Sequence, residues 1–273
     1  MRYKAVVAYD GTDYNGWQKQ INGVGIQTVI EKALEKMLGH ACEAVASGRT
    51  DGGVHALGQV FHFDSEKKMK GERMKMALNS LLPGTIRIQS IEPVSDQFHA
   101  RFDAVSKRYD YLVGDCGNNP FAVRFMAPVR EKLDVLKMQE CAQVLVGTHD
   151  FTSFTSAKID QRKSRVRTID AILICEEKNG IRMIFEGDGF LRYQVRMMAG
   201  TLLEVGKGKL TKADVEVMLE GKDKHLCRYK AEAQGLYLVR VDYEKDDCRE
   251  AILRFLMEES QERDIRKWWG HKR

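Results

Sequence analysis

The sequence predicts an α+β fold in which helices cover a largely antiparallel sheet. Three observations carry this. Alternating, strand-type segments and segments with three- and four-residue apolar spacing succeed one another through the first hundred residues. Segments of the same two kinds recur in the second half, and glycine or proline closes several of the helical runs.

Taken in order, Tyr3, Ala5, Val7 and Tyr9 alternate and define a first strand. Ile26, Val29, Ile30, Ala33, Leu34, Met37 and Leu38 share one helical face, which Gly39 terminates. A strand is expected near 42–48 and another from Gln59 to Phe63, with a polar loop between them. Met74, Ala77, Leu78, Leu81 and Leu82 mark a second amphipathic helix, ended by Pro83-Gly84, and Ile86 to Ile91 a further strand. In the second half, 107–114 reads as a strand and Val135, Met138, Ala142 and Leu145 as a helix closing at Gly147. Ala171–Cys175 and the alternation of Ile181, Met183 and Phe185 give two more strands. Leu191, Val195, Met198, Leu202 and Val205 lie on one face of a helix. Thr211 with Asp214 three residues on has capping-box spacing for another, running to Gly221. Tyr237, Val239, Val241 and Tyr243 form a last strand, and 247–267 reads as an appended helix. The order of the strands within the sheet does not follow from periodicity.

With 273 residues and 43% hydrophobic content, the chain can bury a substantial core. It contains no apolar run long enough to span a membrane and no charged-then-apolar leader, so neither a membrane span nor secretion is expected. Six cysteines are scattered without a C-x-x-C or a tight Cys/His cluster. That argues against a zinc site and a disulfide scaffold, and for reduced thiols in the cytoplasm. The net charge of +5 is only mildly basic, but its distribution is uneven. Lys158, Arg162, Lys163, Arg165 and Arg167 share one short segment, and Arg263, Arg266, Lys267, Lys272 and Arg273 surround Trp268 and Trp269 at the end. Such runs suit either a solvated face or contact with nucleic-acid phosphates.

The most informative segment is Arg49-Thr50-Asp51-Gly52-Gly53. Its glycines allow a sharp turn and leave the Asp51 carboxylate uncrowded. A positive charge such as Arg49 favours the ionised form of a nearby carboxylate, keeping it a base or nucleophile. On this pentapeptide alone, a hairpin turn is the favoured reading, because Asp-Gly is standard turn chemistry.

The longer context separates them. Gly48, Arg49, Thr50, Asp51, Gly53, Val54, His55, Ala56, Gly58 and Gln59 resemble the G-R-T-D-A-G-V-H-A-x-G-Q signature of the tRNA pseudouridine synthase A family. Further blocks follow in that family's order. They are Tyr9-Asp10-Gly11-Thr12 with Tyr14, Gly16, Trp17 and Gln18; Phe98-His99-Ala100-Arg101-Phe102 with Lys107, Arg108, Tyr109 and Tyr111; and His149-Asp150-Phe151 with Ser153-Phe154. Phe190-Leu191, Val195-Arg196, Gly200-Thr201, Val205-Gly206-Lys207-Gly208 and Gly235-Leu236-Tyr237-Leu238 complete a resemblance over about residues 1–245. Gly52 replaces the usual alanine, a small-for-small change that loosens the turn, while Gln194 replaces the usual methionine and Glu232 the usual proline, two departures that bear on which uridines are chosen.

The resemblance implies two ferredoxin-like halves, at 1–104 and 105–245, with a central cleft, and leaves 246–273 as a basic helical extension. It implies an RNA pseudouridine synthase acting on anticodon-arm uridines of tRNA at positions 38 to 40, working as a homodimer. The reaction breaks the C1′–N1 bond, turns the uracil and joins its C5 to C1′, and needs no metal, redox cofactor or ATP. By this resemblance Asp51 is the essential aspartate, Tyr109 stacks on the target base and helps remove its C5 proton, and Arg196 pairs with the carboxylate. Arg49 competes for that pairing or holds the extruded phosphate, Leu236 walls the pocket, and Lys163 and Arg165 contact the RNA backbone. His55 and His99, without metal-type spacing, read as structural or RNA-contacting. Two rival classes fare worse. An RNA-recognition module without catalysis would display a K/R-G-F/Y-G-F-V pattern, which is missing, and a glycosidase would pair Asp51 with a second acid in a comparable setting.

Overall fold

Strand β1 (Arg2–Tyr9) is buried at every second residue, so Tyr3, Ala5, Val7 and Tyr9 face the core as their alternation predicts. The computed structural model describes residues 1–117, 119–156 and 164–244. The expected helix at 247–267, the tryptophans beside it, and Lys163 lie outside the described residues. Ten strands in mostly antiparallel pairing and five α-helices are found among those described, an α+β fold. They divide into two compact units, Met1–Asp110 with Glu232–Glu244, and Tyr111–Ala231. The final strand therefore returns to the first unit, whereas the sequence suggested two contiguous halves.

In the first unit β1 pairs antiparallel with both β3 (His55–Asp64) and β4 (Ile86–Val94), and the short β2 (Val45–Ala46) joins β3. The last strand, β10 (Leu236–Asp242), pairs with β3 in parallel, Tyr237 opposite His55 and Leu238 opposite Ala56. Helix α1 (Ile26–Leu38) buries Ile26, Ile30, Ala33, Leu34 and Leu38, and Gly39 closes it in a left-handed conformation (φ 81°), donating its N–H to the Glu35 carbonyl. Helix α2 (Gly71–Leu81) buries Met74 and Leu78. Each fully buried aliphatic side chain of this kind contributes about 1.5–3 kcal/mol. Strand β5 (Ser106–Gly114) carries Tyr109 in its first half, and Val105 just before it donates its N–H to the Asp242 carbonyl.

Two expectations change here. The strand expected at 42–48 shrinks to Val45–Ala46, and β3 begins at His55 rather than Gln59. The parallel partner β10 lies some 180 residues away in sequence and extends β3 towards the Asp51 loop, a non-local pairing that short-range patterns do not reveal.

In the second unit the end of β5 pairs in parallel with β6 (Ala127–Pro128). Strand β8 (Val166–Glu177) lies antiparallel to β7 (Gly147–Asp150) on one side and β9 (Gly180–Gly187) on the other. Neither β6 nor β7 has a recognisable sequence pattern, being two and four residues long. Helices α3 (Val135–Ala142), α4 (Gln194–Gly206) and α5 (Lys212–Gly221) complete it, and α5 has the capping box that the sequence predicts. Helix α4 starts three residues later than the apolar spacing suggests. Tyr193 at its N-cap sits in the left-handed region (φ 68°, ψ −1°), which interrupts the helix and costs on the order of 1–3 kcal/mol for a bulky side chain.

Candidate active site

Asp51 lies in the loop between β2 and β3, and the first unit grips that loop from both sides. Upstream of Asp51, the fully buried Gln59 amide bonds to two residues of the approach to the loop. Its Oε1 accepts from Ser47 Oγ at 2.8 Å and its Nε2 donates to the Gly48 carbonyl at 3.0 Å. Thr50 is held through both ends: its hydroxyl pairs with Tyr9 Oη at 2.8 Å, and its carbonyl accepts from the Trp17 N–H at 3.1 Å. Downstream, Val54 N–H donates to the Asp51 carbonyl at 3.2 Å across a turn in which Gly53 takes φ 78°. The Gly53 N–H in turn donates to the Tyr14 carbonyl at 3.2 Å.

The glycines of the Tyr9–Gln18 block serve this grip. A Cβ on Gly16 would lie 2.4 Å from the Thr50 carbonyl oxygen, and one on Gly11 would lie 1.9 Å from that of Val54. Backbone approaches backbone there, which only glycine allows. Gly52 is different. A Cβ at that position would be 3.6 Å from the nearest atoms, an ordinary contact, so the alanine usual in the family fits this loop equally well. Glu232, in place of the family's proline, has φ −66° and ψ 153°, the backbone that proline would impose. Gln194 is fully buried, and its Oε1 accepts from the Leu191 N–H at 2.8 Å, tying down the entry to α4. Gly52 and Glu232 thus lie on backbone that the usual residues would also adopt.

Tyr109 is 8% exposed. Its phenol is pushed well above the ordinary tyrosine range, first by burial and then by the charges of Tyr9 and Asp51. Asp51, itself half-buried, is thus close enough for its charge to act on Tyr109. Tyr9 is likewise buried and pushed up to about 12, so both hydroxyls hold their protons at neutral pH. Leu236, buried at the start of β10, follows the turn Ala233–Gly235. That turn abuts the Asp51 loop, since a Cβ on Gly53 would meet Ala233 Cβ at 3.2 Å. The first unit therefore gathers Asp51, Tyr109 and Leu236.

The other sequence-derived candidates have these surroundings. Arg49 is exposed and forms no ion pair with Asp51, so its guanidinium does not hold that carboxylate. Arg196 belongs to the second unit, in the first turn of α4, where its Nε donates to the Ala231 carbonyl at 2.8 Å. Arg165, also in the second unit, precedes β8 and reaches Thr152 Oγ1 at 3.4 Å. His55 is structural. Its Nδ1 accepts from the Gly11 N–H at 3.1 Å and its ring stacks on Tyr237 with centroids 4.8 Å apart. His99 also accepts, from the Arg101 and Phe102 N–H groups at 3.1 and 3.2 Å, closing its own turn. Sequence reasoning gave no role to Tyr9, Gln59 or Tyr193. The first two stand within matched blocks, and the third stands beside Arg192, which was the available signal.

A carboxylate in a rigid turn, with a protonated phenol and an apolar wall near it, can act as nucleophile or base on a substrate delivered from outside. Comparison with known proteins shows the family. The family model described as tRNA pseudouridine synthase matches residues 5–103 and 141–244, thereby including the Asp51 loop and leaving out the stretch with Tyr109. A protein called tRNA pseudouridine synthase A from an Exiguobacterium species is 46% identical over 246 residues, covering 90% of this chain and 99% of its own. Namesakes from Limosilactobacillus reuteri (45% over 253 residues, 90% and 98% covered) and Listeria monocytogenes (44% over 247 residues, 89% and 99%) are similar to the same extent. With matches of that identity running end to end through the loop that carries Asp51, the chain belongs to the tRNA pseudouridine synthase family.

Proposed function

We propose that this protein isomerises uridine to pseudouridine in the anticodon arm of tRNA, with the Asp51 carboxylate as the reacting group. The observation that carries the reading is Asp51 itself, fixed by backbone on both sides in a loop whose neighbour is the buried phenol of Tyr109. Asp51 acts on the ribose, either by attack at C1′ or by helping to remove a sugar proton. Tyr109 supplies a ring for the uracil to stack on, an interaction worth roughly 1–3 kcal/mol per base. Its raised pKa makes the hydroxyl a proton donor in the resting enzyme, so any removal of the C5 proton by this group requires the substrate to change its surroundings first. Leu236 provides apolar wall. Arg196 is proposed to keep Asp51 ionised and oriented, a role assigned from the F-L-x-x-M-V-R block in which it sits. Arg49, exposed beside the loop, is suited to an RNA phosphate, as are Arg165 and Lys163.

The target uridine must leave its stack to reach Asp51, at a cost of a few kcal/mol that phosphate contacts and stacking offset. We assign the protein to the cytoplasm, as a homodimer binding tRNA. The reading that a different RNA is modified draws on the departures Gln194 and Glu232. Glu232 lies on backbone that proline would also adopt, so that departure lends it no support.

The test is conversion of unmodified tRNA by purified protein, with sites mapped by carbodiimide-blocked primer extension. Asp51→Asn should abolish conversion while retaining fold and tRNA affinity, and blocks should map to the anticodon arm. Conversion by Asp51→Asn at the wild-type rate sinks the assignment. Sedimentation equilibrium at micromolar concentration should give twice the chain mass.

A further inference from the structure

Beside Arg196, the entry to α4 holds two cations and an aromatic ring that the proposed chemistry does not use. The Tyr193 ring gathers three cations: Lys230 Nζ lies 4.6 Å from its centroid, Arg192 Cζ 4.9 Å and Arg196 Cζ 5.6 Å. Arg192 also donates from Nη2 to the Tyr193 hydroxyl at 3.1 Å. Like charges this close repel, and the face of an aromatic ring compensates only part of that repulsion. Neither Arg192 nor Lys230 forms an ion pair with an acid among the described residues.

The cluster is also built rather than incidental. The Arg192 carbonyl accepts from Thr155 Oγ1 at 3.1 Å and from the Ser156 N–H at 3.2 Å. Lys230 is brought in by the main chain, because Ala231 N–H donates to the Arg196 carbonyl at 2.9 Å while Arg196 Nε returns to the Ala231 carbonyl. Gly200 allows this approach, since a Cβ there would lie 2.7 Å from the Tyr229 carbonyl oxygen. The left-handed backbone of Tyr193 is thus locked from both sides, the pattern in which strain is kept at a working site.

We propose that Arg192 and Lys230, seated on the Tyr193 ring, bind a phosphodiester of the RNA backbone. The inference rests on the reading of this protein as a tRNA-modifying enzyme. An anion that contacts both Arg192 and Lys230 offsets their charges, and the N-terminal end of α4 adds favourable potential. A phosphate fits better than a base, because the cations already engage the ring. Tyr193 is a positioning residue, acting through the cations it holds.

Filter binding of an unmodified tRNA transcript to the full chain, between 50 and 200 mM KCl, tests this. Each lost phosphate contact flattens the slope of log affinity against log salt by about 0.7 on single-stranded RNA. R192Q/K230Q should therefore lower the slope by roughly 0.7, weakening binding equally for tRNA and for oligouridine. Tyr193→Leu, which keeps both charges but removes their seat, should weaken binding severalfold. A thermal midpoint that drops with Tyr193→Leu while R192Q/K230Q keeps the wild-type slope would mean a purely structural role and overturn the proposal. So would a wild-type slope in R192Q/K230Q by itself. Conversion by the wild type, measured on the same preparation, separates the two readings. A wild type that binds but does not convert removes the enzymatic reading, whereas a converting wild type with an unaffected double variant removes only the phosphate seat.

Discussion

At the scale of single residues, the two glycines nearest Asp51 in space make opposite demands. Gly16 has φ 83° and no room for a Cβ against Thr50, so Gly16→Ala should cost about 2 kcal/mol, read as a lower urea midpoint, and impair conversion by displacing the loop. Gly52 has ordinary contact distance for a Cβ and no left-handed backbone, so Gly52→Ala should stabilise by about 0.4–1 kcal/mol with activity retained. A raised midpoint in the first variant, or a lowered one in the second, contradicts the packing described. His62 sets a pH dependence. Burial first, and then the charge of Arg2, lower its pKa to about 4, and its Nδ1 accepts from the Ala100 N–H at 3.1 Å. In the unfolded chain the ring titrates near its ordinary 6.5, so between the two values only the unfolded state takes up the proton. Its contribution is complete above pH 6.5 and is lost as the pH falls towards 4, a change of up to about 3 kcal/mol. Urea melts at pH 7 and 4.5 should show this loss, and His62→Asn, which retains an acceptor for Ala100, should lose less.

At the scale of elements, α5 shows a local signal realised without change. Thr211 Oγ1 accepts from the Asp214 N–H at 3.3 Å, and Thr211 N–H donates to Asp214 Oδ2 at 2.7 Å. Thr211→Ala should cost about 1 kcal/mol in a urea melt, and no cost would mean that tertiary packing alone fixes this end. Helix α4 shows the opposite. Its apolar spacing extends back to Leu191, yet the hydrogen bonds from Thr155, Ser156 and Gln194 onto the 191–193 turn outweigh helix continuation. Strand β3 likewise gains His55 to Gly58 because β10 supplies a parallel edge there. Propensity proposes an element, and partners distant in sequence set where it begins.

At the scale of the whole molecule, burial governs thiol chemistry. It raises the thiols of Cys116, Cys141 and Cys227 and pushes Cys42 up to about 11. Native protein at neutral pH should therefore alkylate slowly at these four positions and fully once unfolded in urea, followed by mass spectrometry of peptides. Rapid native labelling of the buried three contradicts their packing. A reductant should leave the thermal midpoint unchanged.

The sequence by itself determined the α+β class, the course of α1, α2 and α5, and the motif in which Asp51 stands, because periodicity, caps and a motif at fixed spacing are local and survive without coordinates. It also suggested Arg49 as a partner for Asp51, since adjacency in sequence stood in for adjacency in space. Only the tertiary structure decided that Arg49 faces outward, that Tyr9, Trp17 and Gln59 immobilise the loop, and that Tyr193 collects cations from positions 192, 196 and 230. Contacts such as Tyr9 with Thr50, Trp17 with Thr50 and Tyr193 with Lys230 join residues tens of positions apart, and their existence depends on how the backbone closes on itself, which no local pattern encodes.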